Sequence, residues 1–364
     1  MIALTPSEHA ACVFGLVVAL AGAAGVVAAD DPDTPKALFA ERSVVGVAFD
    51  PTGTRLAVAT PHGDRPLIIL DTKTGQATDA VIAGARPFLC VDFAPDGCRV
   101  AAGELDGTVT VYDTKKGEVV ARLKGPGHQV SQVRFSPDGE RLAVTILNHL
   151  SAWSAPAGKE PKHLVTLRFE ETEFTARLKL KPNEPCVDVK PRTTGLVSFD
   201  WARDGDSLLV SAGEASLRAF KVPSGEEGAA IRTGLKGTVG VRVWGGNTAV
   251  GESTGVDADV SGSIHILRAK DDPLTIEKSH KGGAGMLRFS GDGATLVSAG
   301  EKEIKVWDVK TGRLKATIPR PVTLACVAVS ADGSLVAGGG TGGRGLFLWK
   351  ADTGKPLVLE IKEN

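Results

Sequence analysis

Seven times along this chain a four-residue turn recurs at a nearly constant interval, and that period restricts the fold more than any single residue does. The turn reads Asp50-Pro51-Thr52-Gly53, Ala94-Pro95-Asp96-Gly97, Ser136-Pro137-Asp138-Gly139 and Ala202-Arg203-Asp204-Gly205. It returns as Ser290-Gly291-Asp292-Gly293 and Ser330-Ala331-Asp332-Gly333, with a worn copy at Trp244-Gly245-Gly246-Asn247. Successive units are about 40–44 residues long, the length of one small antiparallel sheet. The stretch from Gly139 to Gly205 is longer, and its excess is an insertion of about 24 residues over the common period.

The turn chemistry explains the recurrence. Proline presets φ at the second position, Asp tolerates the third, and Gly accepts positive φ where the chain re-enters a strand. Alternating apolar runs flank each turn, such as Val133-Arg134-Phe135 before it and Leu142-Ala143-Val144 after it. Period 2 across a four-residue connection predicts an antiparallel hairpin. A third strand follows, as in Val109-Thr110-Val111-Tyr112-Asp113 or Ile304-Lys305-Val306-Trp307-Asp308, closed by a turn ending at Gly117 or Gly312. A fourth apolar run comes next, for example Val119-Val120-Ala121-Arg122-Leu123. The expected fold is all-β: a seven-bladed β-propeller with four antiparallel strands per blade. Leu357 to Ile361 is expected as the outer strand of the seventh blade, with Leu38-Phe39-Ala40 a leader before the first.

These residues resemble the WD-repeat β-propellers from about Ala37 to the C-terminus, most clearly at Ser136-Pro137-Asp138-Gly139 and Ile304-Lys305-Val306-Trp307-Asp308. A true Trp-Asp pair stands only at Trp307-Asp308, with Tyr112-Asp113 and Leu70-Asp71 as near versions. The Gly-His that opens many repeats of that family stands at Gly127-His128, and Ser279-His280 is its remnant. The resemblance implies a buried network of His, Ser or Thr, Asp and Trp inside a blade. Here it points to His128, Thr145 and Trp153 in the third blade and to His280, Ser298 and Trp307 in the sixth, with Glu301 in place of the Asp.

Residues 1–29 read as a separate segment before a single domain of residues 30–364. Ala10 to Ala29 carries no charge, and Val26-Val27-Ala28-Ala29 suits a signal-peptidase site after Ala29. Met1 to His9 lacks the usual Lys or Arg, so an uncleaved anchor competes with a cleaved signal. Both place the domain outside the cytoplasm, in the periplasm or secreted; with the signal removed, no membrane span is expected. Cys90 and Cys326 occupy equivalent first-strand sites in non-adjacent blades, too far apart to bridge, and read as buried free thiols.

No Ser-His-Asp set or Cys/His metal spacing emerges, most acids occupy turn positions, and no cofactor is expected. Gly338 to Gly345 has the composition of a phosphate loop but joins two strands, and reads as a strand connection. Asp257-Ala258-Asp259-Val260-Ser261-Gly262 matches the first half of a calcium loop, yet Arg268 stands where the bidentate Glu belongs. A polar connection is the competing reading.

Two surfaces remain. The loops leading into the inner strands carry Arg42, Arg86, His128, Arg192, Lys236, Lys281 and Arg320, which would converge on one mouth of the channel. With 42 Lys and Arg among 364 residues, a solvated surface without a partner competes with that reading. The insertion, around 160–192, shows alternation at Leu164 to Phe169 and at Phe174 to Leu180, and predicts a projecting hairpin that is either a docking element or a tolerated extension. A net charge of −1 gives no global attraction for nucleic acid. The expected function is a non-catalytic scaffold that binds another protein or an anionic ligand, as a monomer or within a complex. The competing class is a propeller enzyme, hydrolase or lyase, with its site at the channel mouth.

Overall fold

The computed structural model describes residues 37–359, apart from 62–65, 79–86, 126, 170–171, 174–175, 179–186, 190–191, 194–197, 212–215, 233–237, 253–260, 269–270 and 282. Asp257 and Asp259 of the calcium-like segment lie outside the described residues, as does Cys186.

Among the described residues seven antiparallel sheets of three or four strands follow one another along the chain. Their first strands are Gly46–Phe49, Phe88–Phe93, Val130–Phe135, Ser198–Trp201, Thr238–Trp244, Met286–Phe289 and Leu324–Val329. Each first strand packs beside the next around the ring, and Gly46–Phe49 meets Leu324–Val329 to close it. Blades 2 to 6 have four strands, in sequence order. Among the described residues blades 1 and 7 have three, with isolated bridges at their outer position: Leu70 with Ala77, Trp349 with Pro356 and Leu38 with Leu346.

The turns behave as their chemistry requires. In Ser136-Pro137-Asp138-Gly139, Gly139 has φ +72° and its N–H donates to Ser136 O at 2.9 Å. Ser136 Oγ accepts from the Arg141 N–H, and Asp138 Oδ1 from the Glu140 N–H, both at 2.9 Å. Apolar residues alternate between faces, so each sheet buries both sides against its neighbours. Leu56, Val58, Ile68 and Leu70 of blade 1, for instance, pack on Leu346 and Leu348 of blade 7. Each such buried Leu or Ile contributes about 1.5–3 kcal/mol.

Polar clamps join the blades at the turns. Arg55 donates to its own Asp50 and to Gly97 O of blade 2 at 2.6 Å. Arg99 donates to Asp96, to Gly139 O of blade 3 at 3.0 Å and to Ala155 O. Arg141 reaches Gly205 O of blade 4 at 2.8 Å and pairs with Asp206 at 2.7 Å. In blade 5 an indole takes over, with Trp244 Nε1 donating to Gly291 O of blade 6 at 2.7 Å.

The expected outer strand of blade 7 is shared by both ends of the chain. Leu357 N–H donates to Leu348 O, while Leu38 and Leu346 exchange two bonds of 2.7 Å. The leader therefore donates to blade 7, contrary to the expectation that it only precedes blade 1. The glycine run supplies its seat: Glu41 N–H donates to Gly343 O, Gly345 N–H to Arg42 O, and Gly343 N–H to Ser43 Oγ. Gly345 has φ +74°, and a Cβ there would lie 2.4 Å from Leu38 O.

The insertion is a hairpin, displaced from its expected arms. Lys162–Arg168 is the outer strand of blade 3, paired with His149–Ser154. The added ladder comes later, with Thr172–Glu173 opposite Arg192–Thr193 and Ala176–Leu178 opposite Val187–Val189. Alternation alone does not distinguish a blade's outer strand from an added arm.

The blade network forms in blade 6 alone of the two candidates. Ser298 Oγ lies 2.7 Å from both His280 Nε2 and Trp307 Nε1. The acid facing the ring is Glu303, 3.8 Å from His280 Nδ1, and not Glu301. In blade 3, His128 is exposed, Thr145 bonds Ser131 at 2.7 Å, and Trp153 packs edge-on against His163.

Candidate functional site: the central channel

Because side chains alternate along a strand, every second residue of an inner strand faces the ring axis. One rung, five residues before the fourth residue of each turn, carries charge in most blades. Asp92, Arg134, Asp200 and Arg288 stand opposite Ala101, Ala143, Leu209 and Val297 of their second strands. Arg242 stands opposite Ala249 in blade 5. Blades 1 and 7 place Ala48 and Ala328 there. This layer borders a cavity of about 400 Å³ whose outer end is formed by turn residues Asp50, Pro51, Gly291 and Ala331.

The two carboxylates are held alike. Asp92 Oδ2 accepts from Phe135 N–H at 2.8 Å, and Asp200 Oδ2 from Val243 N–H at 2.9 Å, each bond crossing to the next blade. Asp92 Oδ1 also accepts from Arg134 Nη1 at 3.0 Å. Burial raises the Asp92 pKa, with Arg134 opposing it. Burial pulls Arg134 down, but Asp92 and Asp200 outweigh it and the net shift is upward.

The other two arginines have no such partner. Arg242 is 9% exposed; its Nη1 donates to Ser198 Oγ at 3.1 Å and to backbone carbonyls, while its buried Nε has no hydrogen-bond partner. Arg288 Nη1 donates to its neighbour's carbonyl, Leu287 O, at 2.8 Å. Burial first, then Arg288 and Arg134, push Arg242 well below the usual guanidinium range. Burial, then Arg134, bring Arg288 down to about 9, so it stays cationic at neutral pH.

The structure describes five of the seven residues expected on the opposite mouth. Arg86 and Lys236 lie outside the described residues. Arg42 sits in the closing segment, its carbonyl bonded to Gly345. Arg192 is in the inserted hairpin, its backbone paired with Glu173. Arg320 is half-buried and donates to Gly300 O, and burial lowers its pKa. His128 and Lys281, the last residue of the strand Leu274–Lys281, are exposed. Sequence alone does not mark the channel charges, because Arg134 and its counterparts have the pattern of the solvent half of an alternating strand. Their fixed distance of five residues before the turn glycines was the available signal.

Cys90 and Cys326 lie two residues before that rung on the inner strands and point between blades, 3.8 Å from Val130 O and 3.9 Å from Val44 O. Burial pushes both thiols up to about 12. A second cavity, of about 490 Å³, opens between blades 2 and 3 beside Trp153 and Arg168. There His163 Nε2, Thr166 Oγ1 and Ser151 Oγ form a hydrogen-bonded chain with links of 2.8 and 2.9 Å. Among the described residues no group of three or more His, Cys, Asp or Glu could hold a metal ion.

The family model for the WD domain, G-beta repeat, matches residues 80–113 and 272–308. These stretches end at Tyr112-Asp113 and Trp307-Asp308, the strands closing blades 2 and 6 on their third position. No curated protein matches the chain.

Proposed function

The chain is a WD-repeat-like β-propeller, and from that premise we propose that it is a non-catalytic binding scaffold that works outside the cytoplasm. It engages another protein or an anionic ligand through the rim where loops enter the inner strands. The observation that supports this reading is the series of clamps at the opposite rim. Arg55, Arg99, Arg141 and Trp244 are each spent on the neighbouring blade's turn, which makes that rim a rigid frame. The other rim presents His128 and Lys281 to solvent, and the inserted hairpin leaves the ring between blades 3 and 4. Loops on a rigid frame are where propellers vary their contacts. Placement outside the cytoplasm rests on the uncharged run from Ala10 to Ala29, a stretch outside the described residues.

Capture of partners from cell-envelope extract by the full chain tests the reading. The double variant His128→Glu, Lys281→Glu is expected to lose capture while its thermal midpoint stays that of the parent, since both side chains are exposed. Capture by the parent is expected to weaken as the screening length falls to about 8 Å at physiological salt. Undiminished capture by the double variant would sink the rim reading.

A further inference from the structure

We propose that the central channel holds a binding site for a small organic monocarboxylate, clasped by Arg242 and Arg288. The site is separate from the rim and faces the opposite mouth.

The argument begins with charge. The channel rung sets Arg134, Arg242 and Arg288 against Asp92 and Asp200, which leaves one net positive charge in the layer. Arg134 is matched to Asp92 at 3.0 Å. Among the described residues, no carboxylate forms an ion pair with Arg242 or Arg288. A buried cation without a counter-charge is strongly unfavourable, and one monoanion would neutralise the layer. A dianion would leave an excess negative charge beside Asp92 and Asp200.

Geometry and lining narrow the class further. Guanidinium forks bind carboxylate oxygens in pairs, and Arg242 retains a buried N–H donor at Nε with nothing to receive it. The cavity of about 400 Å³ is lined beyond the charges by Met286, Ala48 and Ala328 together with Ser131, Gln132 and Ser198, so it suits a short, partly apolar body behind the carboxylate. It is reached past the turns of blades 1, 6 and 7.

The test is calorimetry and thermal unfolding of the full chain with sodium butyrate, sodium chloride and sodium phosphate at matched ionic strength. Butyrate is expected to bind and raise the thermal midpoint, and chloride and phosphate to do so less. Arg288→Gln is expected to lower butyrate affinity at least about tenfold, because the fork is lost. Arg288→Lys, which keeps the charge without the fork, is expected to fall between and remains usable if the glutamine variant fails to fold. Lys116→Gln, on an exposed turn of blade 2, is expected to bind as the parent does. The proposal is overturned by no butyrate binding at about 10 mM, by chloride or phosphate acting as strongly as butyrate, or by parental affinity in the Arg288 variants. Rim variants are read by partner capture and channel variants by butyrate, so either proposal can fail alone.

Discussion

Arg99 belongs to the second strand of blade 2, yet its guanidinium donates to the carbonyl of Gly139, the turn glycine of blade 3, at 3.0 Å. The same side chain holds Asp96 in its own turn and lies over the Phe135 ring at 5.5 Å. The turn glycine thus serves twice: it takes the positive φ that closes the hairpin, and it presents a carbonyl to the preceding blade.

Arg99→Ala should therefore destabilise more than its counterpart one blade on. Arg99 is 9% exposed and serves three acceptors, so removal is expected to cost about 2–4 kcal/mol. Arg141 pairs with Asp206, whose side chain is 62% exposed, and its loss is expected to cost about 1 kcal/mol. Urea denaturation of the two variants checks the ranking, and equal costs would contradict it.

Gly139→Val adds a Cβ at φ +72°, 3.2 Å from Arg99 Nη2 and 3.3 Å from Pro95 Cδ. Backbone strain of about 1–3 kcal/mol is expected, with the β-type circular dichroism retained. A helical spectrum in the parent would end the propeller assignment.

His280 makes folding sensitive to acid. Burial, then Lys305, hold its folded pKa near about 4, whereas an unfolded His titrates at about 6.5. Since the folded value is the lower one, the unfolded chain takes up the proton first as pH falls. The stability due to neutral His280 is complete above about pH 6.5 and is lost towards about pH 4, by up to roughly 3 kcal/mol. Urea midpoints across that window should fall more for the parent than for His280→Gln, and parallel curves would refute the assignment.

Cysteine reactivity offers an independent check on burial. Cys98 is exposed, while Cys90 and Cys326 have thiols pushed up to about 12. Alkylation mapped by mass spectrometry at neutral pH should mark Cys98 well before either of the others. Rapid labelling of Cys326 would mean that the rung between blades 7 and 1 opens in solution.

Much of this architecture was legible in the sequence because it is local. A turn such as Ser136 to Gly139 carries its own hydrogen bonds and its own φ requirement, so its recurrence can be counted. The His280, Ser298 and Trp307 network was legible by resemblance, but its acid was not. Glu301 sits in a turn, whereas Glu303 begins the strand Glu303–Asp308 and shares its pleat with the residues facing the ring. The channel layer was hidden for a different reason. One Arg in an alternating strand is ordinary, and only closure of the ring sets Arg134, Arg242 and Arg288 around one axis. The double use of the outer edge of blade 7 was equally invisible, since Leu38 and Leu346 are brought together by closure alone.

Gly345→Ala tests that closure directly, because the new Cβ would meet Leu38 O at 2.4 Å in a left-handed conformation. A loss of about 2–4 kcal/mol and association through the exposed blade edge are expected. Light scattering and urea midpoints measure both, and a stable monomer would show that the Leu38 bridge is dispensable.

The seat of Ser43 on Gly343 also dictates when the molecule can finish folding. Those residues are 300 positions apart, so during synthesis blades 2 to 6 can assemble on their neighbours while blade 1 waits for the last strands to emerge. Bringing such distant ends together costs only about 2 kcal/mol more in chain entropy than joining adjacent repeats, because the cost grows with the logarithm of length. The delay is more consequential than the entropy: until Leu324–Val329 is available, Gly46–Phe49 lacks its blade 7 neighbour, and this interval is when the nascent chain is most open to pairing with another copy of itself.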